Sequence, residues 1–458
     1  MHFVHRPYIP EETIAAIATP PGEGGISILR ISGKEAIKVA SKVFTGPIFS
    51  YESHTAHLGK IRNREGHILD EVLILVMKAP KSFTGEETVE IHCHGGSIVT
   101  KKILEEVLWA GARAALPGEF SFKAFMNGKI DLTQAEAIQQ VISAKNELAY
   151  SAAEQHLQGA LSSKIKQLQA GLLDTAAILE AWVDFPEEGL EFASKEELLS
   201  SLSHTLLQMS LLSDSFQEGK IIHEGLSLCL IGPPNAGKSS LMNALLGKER
   251  AIVTEIAGTT RDLLEDHLWL GGLHFKISDT AGIRDTEEKI EREGIRRSLL
   301  AMEASDLVLL VLDASEDLSK ESRSILEIAP SHKTILIWNK ADLPLSAKTH
   351  AKFPDSILLS ALTGQGLHNL KQKIHETIWK KGPPSKEEVI LTHTRHKEAL
   401  DRAISALELV LHGLENDLSP EFLSFDMRKS IFELGTILGL DISEEILNSI
   451  FSKFCIGK

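Results

Sequence analysis

The stretch LSLCLIGPPNAGKSSLMNALL, residues 226–246, decides the fold. It opens with an apolar run of strand length and closes on a helical pattern. Between them Gly232, Gly237, Lys238 and Ser239 match the spacing G-x-x-x-x-G-K-[ST]. The glycines let backbone N–H groups curl around phosphate oxygens at a helix N-terminus, the lysine supplies a point charge, and the serine hydroxyl is placed to ligate Mg²⁺. Asn235, Ala236, Gly237, Lys238, Ser239 and Ser240 are therefore the expected phosphate-binding segment. A chance glycine turn is the bland alternative, and the companions decide against it.

Downstream come Thr259-Thr260, then Asp279, Thr280, Ala281 and Gly282 after the HFKIS run. Asn339, Lys340 and Asp342 end another strand-like run, and Ser360-Ala361 the next. In that order and at strand ends, these pieces specify a P-loop domain that binds GTP, with Ser239 and a switch threonine of the Thr259-Thr260 pair placed to hold Mg²⁺. Asp342 is placed to accept two hydrogen bonds from guanine, which adenine does not offer. The residue after Gly282 is Ile283, where signalling GTPases carry the water-orienting Gln. Asp285, Glu287, Glu288, Glu291 and Glu293 are the acids available to replace it. Asn235 and the loop at 248–260 are the candidates to cage a monovalent cation, acting as an arginine finger does with rate effects of about 10³ to 10⁵.

Outward from this core, strand-length apolar runs alternate with helical segments from Leu226 to about Ile378, the pattern of a doubly wound, mainly parallel sheet. Residues 1–127 mix β-rich runs (ISILRIS, EVLILVM, TVEIHCHG) with one helical pattern and read as a small α/β domain. From Asp131 to Trp182 there is no proline, and Leu157, Leu161, Ile165, Leu168 and Leu172 mark a long amphipathic helix. Thr133 and Glu136 have the spacing of a capping box. The expected organisation is a multidomain α/β and α chain: an N-terminal domain at 1–127, a helical domain at 128–217 and 383–458, and the P-loop domain inserted at 218–382.

The 458 residues are 43% hydrophobic and 24% charged, with a formal charge of −15. That charge argues against nonspecific binding to nucleic acid, so any RNA contact is local. Cys93, Cys229 and Cys455 form no metal or disulfide framework, which suits a reducing, cytoplasmic setting. The opening MHFVHRPYIPEET lacks an apolar h-region, and the longest apolar run, LVLLVL at 307–312, is too short to span a bilayer, so no membrane role is expected. His92 and His94 share one strand face with Cys93 on the other, which disfavours a metal. The glycines of PPGEGGISILR do not complete a dinucleotide fingerprint, so any flavin redox chemistry must come from another protein.

The combination GPPNAGKSSLMNAL, GTTRD, DTAGIR and NKAD, with GGISILRISG, SFTGEETVEIHCHGG, PGEFSFKAFMNGKIDLTQAEA and the terminal FCIGK, resembles the MnmE (TrmE) family of tRNA modification GTPases over essentially the whole chain. The resemblance implies a homodimer formed through the N-terminal domains and a heterotetramer with the FAD protein MnmG (GidA). It implies K⁺ held by Asn235, Thr254, Ile256 and Thr259, with Glu291 acting on water and Arg284 beside it. It also implies a folate carrier, 5,10-methylenetetrahydrofolate or 5-formyltetrahydrofolate, at Arg30, Glu90, Lys129 and Lys458, with Cys455 near the modification chemistry. FCIGK is then a functional tail; its Gly457 and Lys458 do not suit a prenylation box. The implied activity is K⁺-stimulated GTP hydrolysis driving addition of an aminomethyl or carboxymethylaminomethyl group at C5 of the wobble uridine of certain tRNAs. The competing expectation is a GTP-gated RNA- or ribosome-assembly factor, which the acidic charge and folate-type motifs disfavour.

Overall fold

The computed structural model describes residues 12–184, 194–247, 267–270, 273–277, 300, 302–346, 353–379, 382, 385 and 388–457. The chain divides into two compact units. The first comprises Met1–Ser143, Ala153–Ser213 and Thr394–Lys458, the second Ala144–Ala152 and Asp214–His393. The segment expected as the N-terminal domain falls in the first unit, as does most of the expected helical domain, whose residues 144–152, 214–217 and 383–393 belong instead to the second.

In the first unit, β1 (Ile14–Ile17), β2 (Gly24–Ser32), β3 (Thr55–Arg62), β4 (Ile68–Met77), β5 (Thr88–Gly95) and β6 (Arg113–Ala114) form one sheet in the order β3-β4-β5-β2-β1-β6. Only the β1–β6 pair is parallel. Alternation sorts the faces: Val89, Ile91 and Cys93 of β5 pack with α1 (Ala36–Val43) and α2 (Ser97–Trp109), while Glu90, His92 and His94 point the other way. The sequence reading missed β3, TAHLGKIR, because Ile61 is its one fully buried residue and the rest of the strand is half-exposed or exposed.

The long helix expected after Asp131 is three: α4 (Leu132–Ser143), α5 (Glu147–Leu157) and α6 (Ala160–Asp184), preceded by α3 (Glu119–Met126). Gly159 at φ 87 ends the α5 turn in a conformation that side chains resist, so Leu157 belongs to a different helix from Leu161, Ile165, Leu168 and Leu172. The expected Thr133–Glu136 capping box is also corrected. Asp131 Oδ1 accepts from Gln134 N (3.1 Å) and Gln134 Oε1 accepts from Asp131 N (3.1 Å), a reciprocal cap two residues earlier. Glu136 is thereby left for a different partner. After α7 (Lys195–Asp214), the unit resumes with α12 (Thr394–Glu415), α13 (Pro420–Leu438) and α14 (Glu444–Phe451), α13 packing on both α12 and α6.

The second unit runs α8 (Phe216–Glu224), β7 (Leu226–Ile231), α9 (Lys238–Leu246), β8 (His267–Leu270), β9 (Leu273–Ile277), β10 (Leu307–Asp313), α10 (Lys320–Ile328), β11 (Thr334–Asn339), β12 (Ile357–Leu358) and α11 (Leu367–Ile378). The sheet order is β12-β11-β10-β7-β9-β8, parallel except for β8, which pairs antiparallel with β9. Leu228, Leu230, Leu309 and Val311 bury one face; Cys229, Ile231, Val308 and Leu310 bury the other. Both faces are covered, which is why these strands read as unbroken apolar runs.

Candidate functional site

At the carboxyl end of β7 the chain enters the loop 232–237, where three residues take left-handed backbone angles: Gly232 (φ 148), Asn235 (φ 62) and Gly237 (φ 91). Two close approaches make the glycines obligatory. A Cβ on Gly232 would lie 2.0 Å from Val311 O, and one on Gly237 would lie 2.1 Å from Asn339 Nδ2. The loop delivers Lys238, Ser239 and Ser240 to the first turn of α9, with Gly237 at its N-cap. Lys238 Nζ donates to Gly232 O and Pro233 O, each at 2.8 Å, so the ammonium sits on the loop itself. Ser239, Ser240 and Asn235 are exposed at this end of the sheet, and Ala236 is buried beneath them. Backbone N–H groups and a helix N-terminus favour an anion there, so the residues present fit a phosphate with a cation held by a serine hydroxyl.

Asn339 joins this loop to the two that follow β11 and β12. Its Nδ2 donates to Ala236 O (2.9 Å) and its Oδ1 accepts from Ala361 N (3.0 Å). Ser360 Oγ donates to Asp342 Oδ1 (2.5 Å) and accepts from Thr363 N (3.2 Å), orienting that carboxylate. Lys340, at φ 63, pairs through Nζ with Asp313 Oδ2 (2.6 Å). Burial alone would raise the Asp313 carboxyl, but Lys340 and Ser315 together hold it below the usual carboxylate range. Asp313 was not singled out in the sequence, although it ends the run LVLLVLD at the same sheet edge as Asn339. Motif pieces 103 residues apart thus form one hydrogen-bonded rim.

A second polar group lies on the outer face of the first unit's sheet. Arg30 of β2 and Glu90 of β5 are register partners. Arg30 Nε and Nη2 each lie 2.8 Å from Glu90 Oε1, and His92 Nε2 lies 3.3 Å from Glu90 Oε2. The guanidinium stands 5.8 Å from the centroid of buried Phe120. The chain's tail meets this pair: Gly457 O accepts from Arg30 Nη1 (3.3 Å), and Cys455 O accepts from Gly118 N (3.3 Å). Gly118, at φ 68, has no room for a side chain, since a Cβ would lie 2.5 Å from Phe451 O. Gly457, at φ 92, is as tight against Ile17 O. Exposed Cys455 is therefore anchored through its own carbonyl to Gly118 and, two residues on, through Gly457 to Arg30. Lys129 is placed by a different loop, donating to Pro80 O (3.2 Å). Arg30 and Glu90 are only 20% and 12% exposed, a cation and carboxylate side by side that fit a ligand with an acidic tail and a ring carrying N–H donors. Phe120 and Gly118 were missed in the sequence because nothing in their spacing announces a partner far along the chain, while His92, weighed there only as a metal ligand, stands beside Glu90, two residues before it on the same strand face.

Thr254, Ile256, Thr259, Thr260, Asp279, Thr280, Ala281, Gly282, Arg284, Glu291 and Lys458 lie outside the described residues. Cys93 Sγ donates to Ser27 O on the buried side of β5, away from His92 and His94. Among the described residues no helix is long and apolar enough to cross a membrane.

The family model for the MnmE helical domain matches residues 132–455, and that for the GTP-binding protein TrmE N-terminus matches 13–129. The tRNA modification GTPase MnmE of Protochlamydia amoebophila is 61% identical over 458 residues, all of both chains. Its counterpart in Chlamydia abortus is 44% identical over 450 residues, covering 98% of this chain and 100% of its own. Among solved structures, the G domain of the T. maritima FeoB iron transporter matches 33% of this chain and 98% of its own, at 27% identity and a TM-score of 0.25. The two family models and the end-to-end relatives settle the matter: this chain belongs to the MnmE (TrmE) family of tRNA modification GTPases.

Proposed function

We propose that the chain is a cytoplasmic, K⁺-stimulated GTPase that acts as a homodimer with an MnmG-type flavoprotein to modify C5 of the wobble uridine of certain tRNAs. The observation carrying this reading is the Asn339 joint, which ties the phosphate loop at Ala236 to the loop bearing Ala361, beside a Ser360-oriented Asp342. A guanine seated there gives Asp342 two donors, each such charged hydrogen bond worth about 1.5–3 kcal/mol. Lys238 leaves the loop carbonyls for the outer phosphates, and Ser239 with Thr260 would hold Mg²⁺. Asn235, exposed and left-handed, would hold K⁺ together with Thr254, Ile256 and Thr259. Glu291 orients the attacking water and Arg284 supports the switch.

On the other unit, Arg30, Glu90, Lys129 and Lys458 bind the reduced folate, and the anchored tail presents Cys455 to it. When bound, the folate supplies the one-carbon unit and the partner's FAD the redox step. The domain plan that serves this is 1–127, 128–217 with 383–458, and 218–382. The test is steady-state GTP hydrolysis in KCl and in NaCl. We expect turnover at least about tenfold faster in K⁺, with Glu291→Ala slow in both salts. Equal rates in the two salts would refute the cation's role, and absent GTP hydrolysis would refute the reading as a whole.

A further inference from the structure

The chain passes between its two compact units at four places: 143/144, 152/153, 213/214 and 393/394. Each crossing lies close in sequence to a polar residue that is buried or paired in the first unit. Glu136 belongs to α4, which ends at Ser143. His156, 1% exposed, sits on α5 just after the second crossing. Ser213 is the last residue before the third, and Arg395 and His396 form the first turn of α12, immediately after the fourth.

Glu136 is gripped from both sides. Arg395 Nε reaches Oε1 at 3.0 Å and Nη2 reaches Oε2 at 2.8 Å, a forked pair, while His396 Nε2 lies 2.7 Å from Oε2. The same guanidinium donates to the carbonyls of Thr436 (2.7 Å) and Ile437 (3.1 Å) in the last turn of α13. Two turns further along α12, Asp401 Oδ1 accepts from Ser213 Oγ (2.6 Å) and from Lys397. The helix that leads into the insertion, α7, is therefore fastened to the helix that leads out of it, α12.

The path continues to the tail. The α13 helix ends at Gly439 (φ 94), where a Cβ would lie 2.8 Å from the Phe125 ring and 2.9 Å from Leu132 Cβ. Phe125 and Leu132 belong to the apolar cluster that holds Phe451 and Phe454, directly before Cys455. A forked Arg–carboxylate pair is directional, so a small rotation of the first turn of α12 moves α4 and the end of α13 together.

We propose that the Glu136–Arg395–His396 cluster is a positioning element that converts the nucleotide state of the inserted unit into a change in the floor beneath the Cys455 tail. This rests on the GTPase reading above. The test is amide hydrogen exchange of the full-length chain with GDP and with a non-hydrolysable GTP analogue, read at residues 118–126 and 451–457, beside GTP turnover and Tm. The wild-type chain shows a nucleotide-dependent difference there. Glu136→Gln keeps turnover within about twofold and shrinks that difference at least about fivefold, the lower end of typical coupling. Arg395→Lys, which keeps the charge but loses the fork, gives an intermediate loss. A merely structural role would lower Tm and leave the difference intact, and that outcome overturns the proposal, as does a wild-type chain that shows none. If Glu136→Gln does not fold, Arg395→Lys and Ser213→Ala decide by the same criterion. A wild-type chain that hydrolyses no GTP overturns the GTPase reading instead.

Discussion

In the phosphate loop, Asn235 to Ser240 are neighbours both in sequence and in space. On the outer face of the N-terminal sheet, Arg30, Glu90 and Gly457 meet across as many as 427 residues. The first arrangement is made by backbone angles within one turn and survives as long as β7 and α9 form. The second exists only when a sheet register, a helix N-terminus and the last residues of the chain all dock. Local sites are therefore sensitive to a change in backbone conformation, and assembled sites to anything that loosens the packing around them.

The largest expected effect breaks the local site. Gly237→Ala forces a Cβ to within 2.1 Å of Asn339 Nδ2 at a φ of 91, so the Asn339–Ala236 bond is lost. Strain and a broken buried hydrogen bond each cost roughly 1–3 kcal/mol, so GTP affinity measured by calorimetry should fall about 100-fold. A change under threefold would remove the claim that this rim is a single joint.

A middle-sized effect separates the assembled unit by pH. Burial is the main cause holding His396 below the ordinary imidazole value of 6.5, with Arg395 adding to it and Glu136 opposing. The folded chain thus keeps it neutral while the unfolded chain takes up a proton. Stability is unaffected above pH 6.5, falls as the pH drops below it, and stops falling once the folded value is passed. One such group gives a slope of at most about 1.4 kcal/mol per pH unit. His396→Gln should flatten that part of the denaturation profile, and an unchanged slope would assign the acid sensitivity elsewhere.

The smallest effect sharpens the comparison. Gly457→Ala pushes a Cβ against Ile17 O at a φ of 92 and should release the last few residues. Global stability should change by less than about 1 kcal/mol, because so little apolar surface is involved. GTP turnover should be unchanged while tRNA modification falls. Modification at the wild-type level would show that tail docking is not needed.

The same contrast explains what the sequence disclosed. The strands of the doubly wound sheet and the loops Gly232–Ser239, Asn339–Asp342 and Ser360–Ala361 are legible because burial on two faces and phosphate-binding turns restrict residue choice position by position. Strand β8, HLWL, is short and antiparallel at the edge, where that restriction is weakest. The division of α4, α5 and α6 was hidden because the apolar spacing runs on through Gly159. Asp131 with Gln134 had capping-box spacing as well as Thr133 with Glu136, and a tertiary partner chose between them: Arg395 and His396, some 260 residues away, claim Glu136. Gly118 shows no local sign of its contact with Phe451 and Cys455.

The three cysteines differ in a way that is useful at the bench. Burial pushes the thiols of Cys93 and Cys229 up to about 11, so at neutral pH almost none of either is thiolate, whereas Cys455 stands in solvent. A maleimide dye or spin probe added to the native protein will therefore attach at one place. No cysteine has to be engineered away first, and the reporter rides on the segment whose docking is in question.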